Sequence, residues 1–218
     1  MHIPDGFVSN PIALAGYVIS AGAVAVALAR AKRNLDERQV PLLGVTAAFI
    51  FAAQMLNFPV AGGTSGHFLG GLLAAALLGP LNALLVMALV LLIQCLVYAD
   101  GGLTALGANI FNMGVVAAGA GYLIFRGLLW LLPKNRAGFL AAAGIASWLS
   151  VMLSASACAL ELAFSGVSPL KLVWPAMAIV HALIGIGEAV ITAVVLSMVL
   201  AIRQDLIPGG IRPREVNA

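Results

Sequence analysis

The chain has 218 residues, of which 62% are apolar and 9% are charged, and its mean hydropathy is +1.09. These values exclude a soluble globular domain and define an integral membrane protein. A net charge of +3 suggests nucleic acid in a soluble chain, but here Lys and Arg punctuate apolar runs and report topology. The expected surroundings are membrane lipid, with no nucleic-acid partner.

The opening MHIPDGFVSN lacks the basic region and the A-x-A cleavage site of a secretory signal, which predicts a mature chain starting at residue 1. Pro4 fixes φ and has no N–H, and Asp5-Gly6 favours a turn, so segment 1–7 is suited to folding back into the protein. Apolar stretches follow at roughly 11–30, 41–56, 67–79, 80–98, 103–132, 137–164 and 171–202, delimited by charges, Gly and Pro. They predict an all-α membrane protein of about seven transmembrane helices, forming one transmembrane domain over residues 1–218. With the N-terminus outside, Arg30, Lys32, Arg33, Arg38, Arg126, Lys134, Arg136, Arg203, Arg212 and Arg214 all fall at cytoplasmic ends. Only Lys171 is left outside, so the positive-inside rule selects N-out and C-in, with RQDLIPGGIRPREVNA as a short cytoplasmic tail.

The second and third stretches, about 16 and 13 residues long, fall short of the ~20 that a helix needs to cross the hydrocarbon core. They flank LNFPVAGGTSGHFLGG, whose Pro59, Gly62, Gly63, Gly66, Gly70 and Gly71 cannot remain a regular helix. Irregular backbone near membrane depth must be buried in protein or line a cavity, so residues 57–67 are expected to form a re-entrant loop, with His67 where the helix resumes.

Metal chemistry is available at the terminus. A chain that begins X-His offers three nitrogens in succession: the amine of Met1, the amide of His2 and the imidazole of His2. They close a five-membered and then a six-membered chelate ring if the amide loses its proton, which Ni²⁺ and Cu²⁺ promote well and Co²⁺ less readily. Planar nitrogen coordination suits those ions, and His67, on the same predicted face, is the candidate for a fourth nitrogen. Asn57, Thr64 and Ser65 either orient His67 through hydrogen bonds or cap the helix that follows.

Other polar residues in apolar runs have structural explanations beside functional ones. Asp100 falls at the outer membrane edge, and Asn109 and Asn112 lie in a Gly-rich run that suggests close helix packing. His181 and Glu188 share a helix face and suggest a buried polar network or a subunit contact, and Glu161 could face the outer mouth. Cys95 and Cys158 have no CxxC or Cys/His spacing and read as small buried side chains.

The stretches MHIPDGF, NFPVAGGTSGH, DGGLTALGANIFNMG and HALIGIGEA, in that order, resemble the CbiM/NikM family, the substrate-binding membrane subunits of cobalt and nickel energy-coupling-factor transporters. The resemblance covers essentially the whole chain. It implies a six-helix core with an extra N-terminal helix, and a metal held by the Met1 amine, the amide and imidazole nitrogens of His2 and the imidazole of His67. It further implies an ABC-type importer in a bacterial or archaeal cell membrane. The partners would be a transmembrane coupling subunit, two cytoplasmic ATPase subunits and often a small accessory membrane subunit. The sequence has no GxxxxGK[ST] phosphate loop, so ATP is expected to bind elsewhere and the chain is not expected to be an enzyme. Two competing readings are a membrane metalloenzyme, for which HExxH is missing, and a stand-alone metal carrier or channel, for which half-repeats are missing. The choice between Ni²⁺ and Co²⁺ stays open.

Overall fold

The computed structural model describes residues 1–60 and 64–207. Gly62, Gly63, Arg212 and Arg214 lie outside the described residues, as does the side chain of Arg38. Among the described residues seven α-helices of at least eight residues form: α1 (Asn10–Asn34), α2 (Val40–Gln54), α3 (Gly71–Leu78), α4 (Pro80–Tyr98), α5 (Leu106–Leu131), α6 (Arg136–Phe164) and α7 (Leu170–Ile202). Five of them, α1, α4, α5, α6 and α7, are long and apolar enough to cross a membrane. The other two are shorter for a visible reason. At about 1.5 Å per residue, α2 extends ~22 Å and α3 ~12 Å, less than the ~30 Å core, and the chain between them is given over to other structure.

That intervening chain is more regular than its Gly and Pro content suggests. It carries an antiparallel hairpin of β1 (Phe58–Val60) and β2 (Thr64–Gly66), in register Phe58 to Gly66 and Val60 to Thr64. Three-residue strands leave no alternation to read in a sequence, and Pro59 argues against a strand unless it sits at an edge. His67 therefore follows a strand, and the helix expected from residue 67 begins only at Gly71.

Local chemistry sets the helix ends. Pro11 and Pro80 occupy first-turn positions of α1 and α4, where a missing N–H costs nothing. Gly79 has φ +78° and separates α3 from α4, a backbone region that glycine enters without strain. Asn135 caps α6 by accepting from the Gly138 N–H at 2.8 Å. Within α5, residues Phe111–Ala120 are wound as a π-helix.

Every residue of α3 is buried, and this short helix packs against α4, α5, α6 and α7 at the centre of the bundle. By contrast α1 buries only Gly16, Ser20 and Ala27 and lies at the periphery. It approaches α5 where Gly16 faces Gly107 and Ala108; a Cβ on Gly16 would lie 2.7 Å from the Ala108 nitrogen. Small residues at a crossing let backbones come this close, the usual packing mode where lipid removes any hydrophobic drive between helices. Helices α6 and α7 run antiparallel, joined by Trp148 Nε1 to the Ala182 carbonyl at 3.1 Å and by Ser147 to Thr192 at 3.2 Å.

Candidate metal centre

The N-terminal segment is folded into the protein. Met1 is 0% exposed and His2 3%. A turn at Pro4–Phe7 reverses the chain, and Asp5 Oδ1 accepts from both the backbone nitrogen and the hydroxyl of Thr104, at 2.7 and 2.6 Å. Those bonds hold the Asp5 carboxyl below its ordinary range. Asn109 on α5 clamps the segment from the side, accepting from the Ile3 N–H at 2.9 Å and donating to the Ile3 carbonyl at 3.2 Å. The Gly102 N–H also donates to the Ile3 carbonyl, at 2.8 Å. Asn109 thus serves the terminus and not the helix packing suggested by its Gly-rich surroundings. Asn112 does join helices, donating to Glu161 Oε2 at 2.6 Å, so Glu161 is turned toward α5.

The loop that carries His67 is fixed as firmly. Glu188 accepts from the Leu69 N–H at 2.7 Å and the Gly70 N–H at 3.0 Å. Glu188 lies about 27 Å along α7 from Leu170 at 1.5 Å per residue, so the loop descends beside α7 to roughly the middle of that helix. Thr64, nearer the start of α7, donates to Met177 Sδ at 3.1 Å.

These two supports bring His2 and His67 together. Their rings stack with centroids 4.5 Å apart and planes inclined by 26°. The Met1 amine and the His2 N–H both donate to Ser65 Oγ, each at 3.2 Å. Ser65 therefore faces the amine and amide nitrogens directly. Thr64 bonds Met177 instead, and Asn57 is exposed beyond the hairpin.

Hydrogen bonds also decide which imidazole nitrogens keep a lone pair. His67 Nδ1 donates to the Phe68 carbonyl at 2.8 Å, which leaves Nε2 as the acceptor. For His2 the assignment runs through two glutamines, Gln54 and Gln94, that no sequence motif marks. Gln54 Nε2 donates to the Leu69 carbonyl at 2.8 Å, so its Oε1 is left to accept from Gln94 Nε2 at 3.0 Å. Gln94 Oε1 must then face His2, 3.0 Å from Nε2, and that nitrogen carries the proton. His2 Nδ1 and His67 Nε2 remain, both buried and without a hydrogen-bond partner. An unpartnered buried acceptor costs free energy unless a ligand uses it. Gln54 and Gln94 could have been found as fully buried amides in otherwise apolar helices.

Burial also removes protons from the donors. It lowers the Met1 amine from 8.0 to about 5 and His2 from 6.5 to about 3, so both are neutral at pH 7. Among the described residues no three His, Cys, Asp or Glu side chains converge on a possible metal position. The buried Met1 amine and His2 amide add two backbone nitrogens beside the two rings.

Apolar helices enclosing unprotonated, unpartnered nitrogens define a class: membrane proteins with a buried, nitrogen-rich site. The particular family follows from sequence. The chain belongs to the family described as the cobalt uptake substrate-specific transmembrane region, whose model matches residues 2–206. It is 45% identical over 210 residues to the putative fused nickel transport protein NikMN of Archaeoglobus fulgidus, a match covering 95% of this chain and 68% of that relative. It is 35% identical over 214 residues to cobalt transport protein CbiM 1 of Pelobacter propionicus, covering 94% and 93%. The crystal structure of a truncated transition metal transporter superposes with a TM-score of 0.85 at 34% identity, over 92% of this chain and 99% of that one. The chain is therefore a membrane component of cobalt or nickel uptake.

Proposed function

We propose that this chain is the substrate-binding subunit of an energy-coupling-factor importer. In this reading it captures Ni²⁺ or Co²⁺ at the external face through the Met1 amine, the His2 amide and Nδ1, and His67 Nε2. The observation that carries the reading is the pair of unpartnered nitrogens on stacked rings beside a neutral, buried amine. Four nitrogens, one of them an ionised amide, favour Ni²⁺ over Co²⁺ through the planar geometry they impose. Ser65 accepts from the amine and amide and holds the chelate arm in place. The positive-inside distribution of Arg and Lys supports an external position for this end. With no phosphate loop in the sequence, ATP-driven steps fall to a coupling subunit and two ATPase subunits, with an accessory membrane subunit alongside.

Titration calorimetry of the purified chain with Ni²⁺ and Co²⁺, against His67→Ala, tests the site. Loss of tight binding in the variant is expected, and retained binding removes His67 from the site. Proteoliposomes separate the roles: metal uptake by this chain alone would mark a stand-alone carrier, whereas uptake only with partners and ATP marks a binding subunit.

A further inference from the structure

His2 faces a carboxylate with the wrong partner for a hydrogen bond. Its Nε2 proton is committed to Gln94, so Nδ1 presents a lone pair, and Asp100 Oδ1 stands 3.4 Å from that atom. At that distance two acceptors repel unless a proton or a metal cation is shared between them. Asp100 sits between α4 and α5, with its side chain 22% exposed. It lines a cleft of about 510 Å³ together with His2, Ser65, Cys95 and Asp5. Asp5 in the same cleft is already occupied by Thr104. Asp100 is thus the carboxylate that touches both the open cleft and the buried donors.

Charge balance points to its use. A neutral amine, two neutral imidazoles and one ionised amide leave a bound dication with one uncompensated positive charge. An unpaired charge in so buried a place is costly. We propose that Asp100 is the counter-charge of the transported metal: its carboxylate meets the incoming dication in the cleft and stays beside it, without replacing any of the nitrogen donors. This rests on the metal site proposed above. Carboxylate and complex carry opposite unit charges a few ångströms apart, and interactions of that kind are strong where water is scarce.

The test uses the full-length chain with Ni²⁺ as the probe. Asp100→Asn keeps the shape and removes the charge; it should weaken Ni²⁺ binding by about tenfold to a hundredfold, the usual range for groups just behind a metal's ligands. The absorption band of the Ni²⁺ complex at saturation should be unchanged, and Asp100→Glu should recover most of the affinity. Binding within threefold of the parent, or a shifted absorption band that makes Asp100 a direct ligand, would overturn the proposal. A second measurement needs no variant. With ¹³C-labelled aspartate, infrared difference spectra of the native chain should show a carboxylate band moving on Ni²⁺ addition, and a flat spectrum in the aspartate region would also overturn it. His67→Ala separates the two claims. If it leaves binding intact the metal site itself is wrong; if it abolishes binding while Asp100→Asn has no effect, only the counter-charge fails.

Discussion

Replacing Gln94 by Leu removes the central link of the relay from the Leu69 carbonyl through Gln54 to His2. Two buried groups lose their partners at once: the His2 Nε2–H, now 3.0 Å from Gln94 Oε1, and Gln54 Oε1, now 3.0 Å from Gln94 Nε2. Each orphaned group costs about 1–3 kcal/mol, so the metal-free fold should lose about 2–6 kcal/mol unless the rings rearrange. The available rearrangement moves the His2 proton to Nδ1, where Asp100 Oδ1 waits at 3.4 Å. That relieves the fold but blocks the nitrogen proposed to hold the metal. Ni²⁺ affinity should therefore fall by about tenfold to a hundredfold, the range seen when a hydrogen-bond partner of a ligating histidine is removed. Gln54→Leu orphans the Leu69 carbonyl and frees the orientation of Gln94 but leaves the Gln94–His2 bond possible, so its loss of Ni²⁺ affinity should be smaller. Calorimetric titration with Ni²⁺, beside a thermal melt of each metal-free variant, reads both effects. A natively folded Gln94→Leu protein binding Ni²⁺ within threefold of the parent would refute the claim that the glutamine relay sets the His2 tautomer.

Three further outcomes are expected. Because burial lowers the Met1 amine to about 5 and His2 to about 3, both stay unprotonated between pH 8 and 6. Binding there should release about one proton per metal, from the amide, and a second below about pH 5 as the amine begins to compete; calorimetry in buffers of different ionisation enthalpy counts them, and two protons at pH 7 would contradict the lowered amine. Gly102→Ala should abolish metal binding while leaving helix content by circular dichroism intact, since a Cβ there would run into the Asp5 backbone nitrogen, which cannot swing aside as a flexible side chain would. One Gly added before Met1 turns the amine into a peptide amide and must fit where Met1 is 0% exposed. Ni²⁺ binding should be lost or become independent of His67, and tight binding that still requires His67 would remove the amine from the ligand set.

The reach of the sequence differed from one element to the next. The apolar runs located every long helix, because a membrane span announces itself by local composition alone. The shortness of the second and third runs showed that the chain between them does something other than span. It did not show the β1–β2 hairpin, whose three-residue strands are defined by their pairing and not by any pattern of their own. The same limit applies to Glu188, legible as an unusual intramembrane carboxylate but not as the anchor of residues 69 and 70, 119 and 118 positions away in the chain.

What the sequence by itself determined is the membrane class, the family resemblance and the chemistry an X-His terminus offers. All of these are properties of residue identity and near neighbours. Only the tertiary structure decided where that chemistry is gathered and in what protonation state. The lone pairs of His2 and His67 are set by bonds to Gln94, 92 residues away from His2, and on to Gln54 and the Leu69 carbonyl. The terminus is held by Asn109, 106 residues from Ile3. Donor and acceptor roles in a buried network depend on what each atom faces across the bundle, and burial is what strips the proton from the Met1 amine; neither exists until the helices have packed.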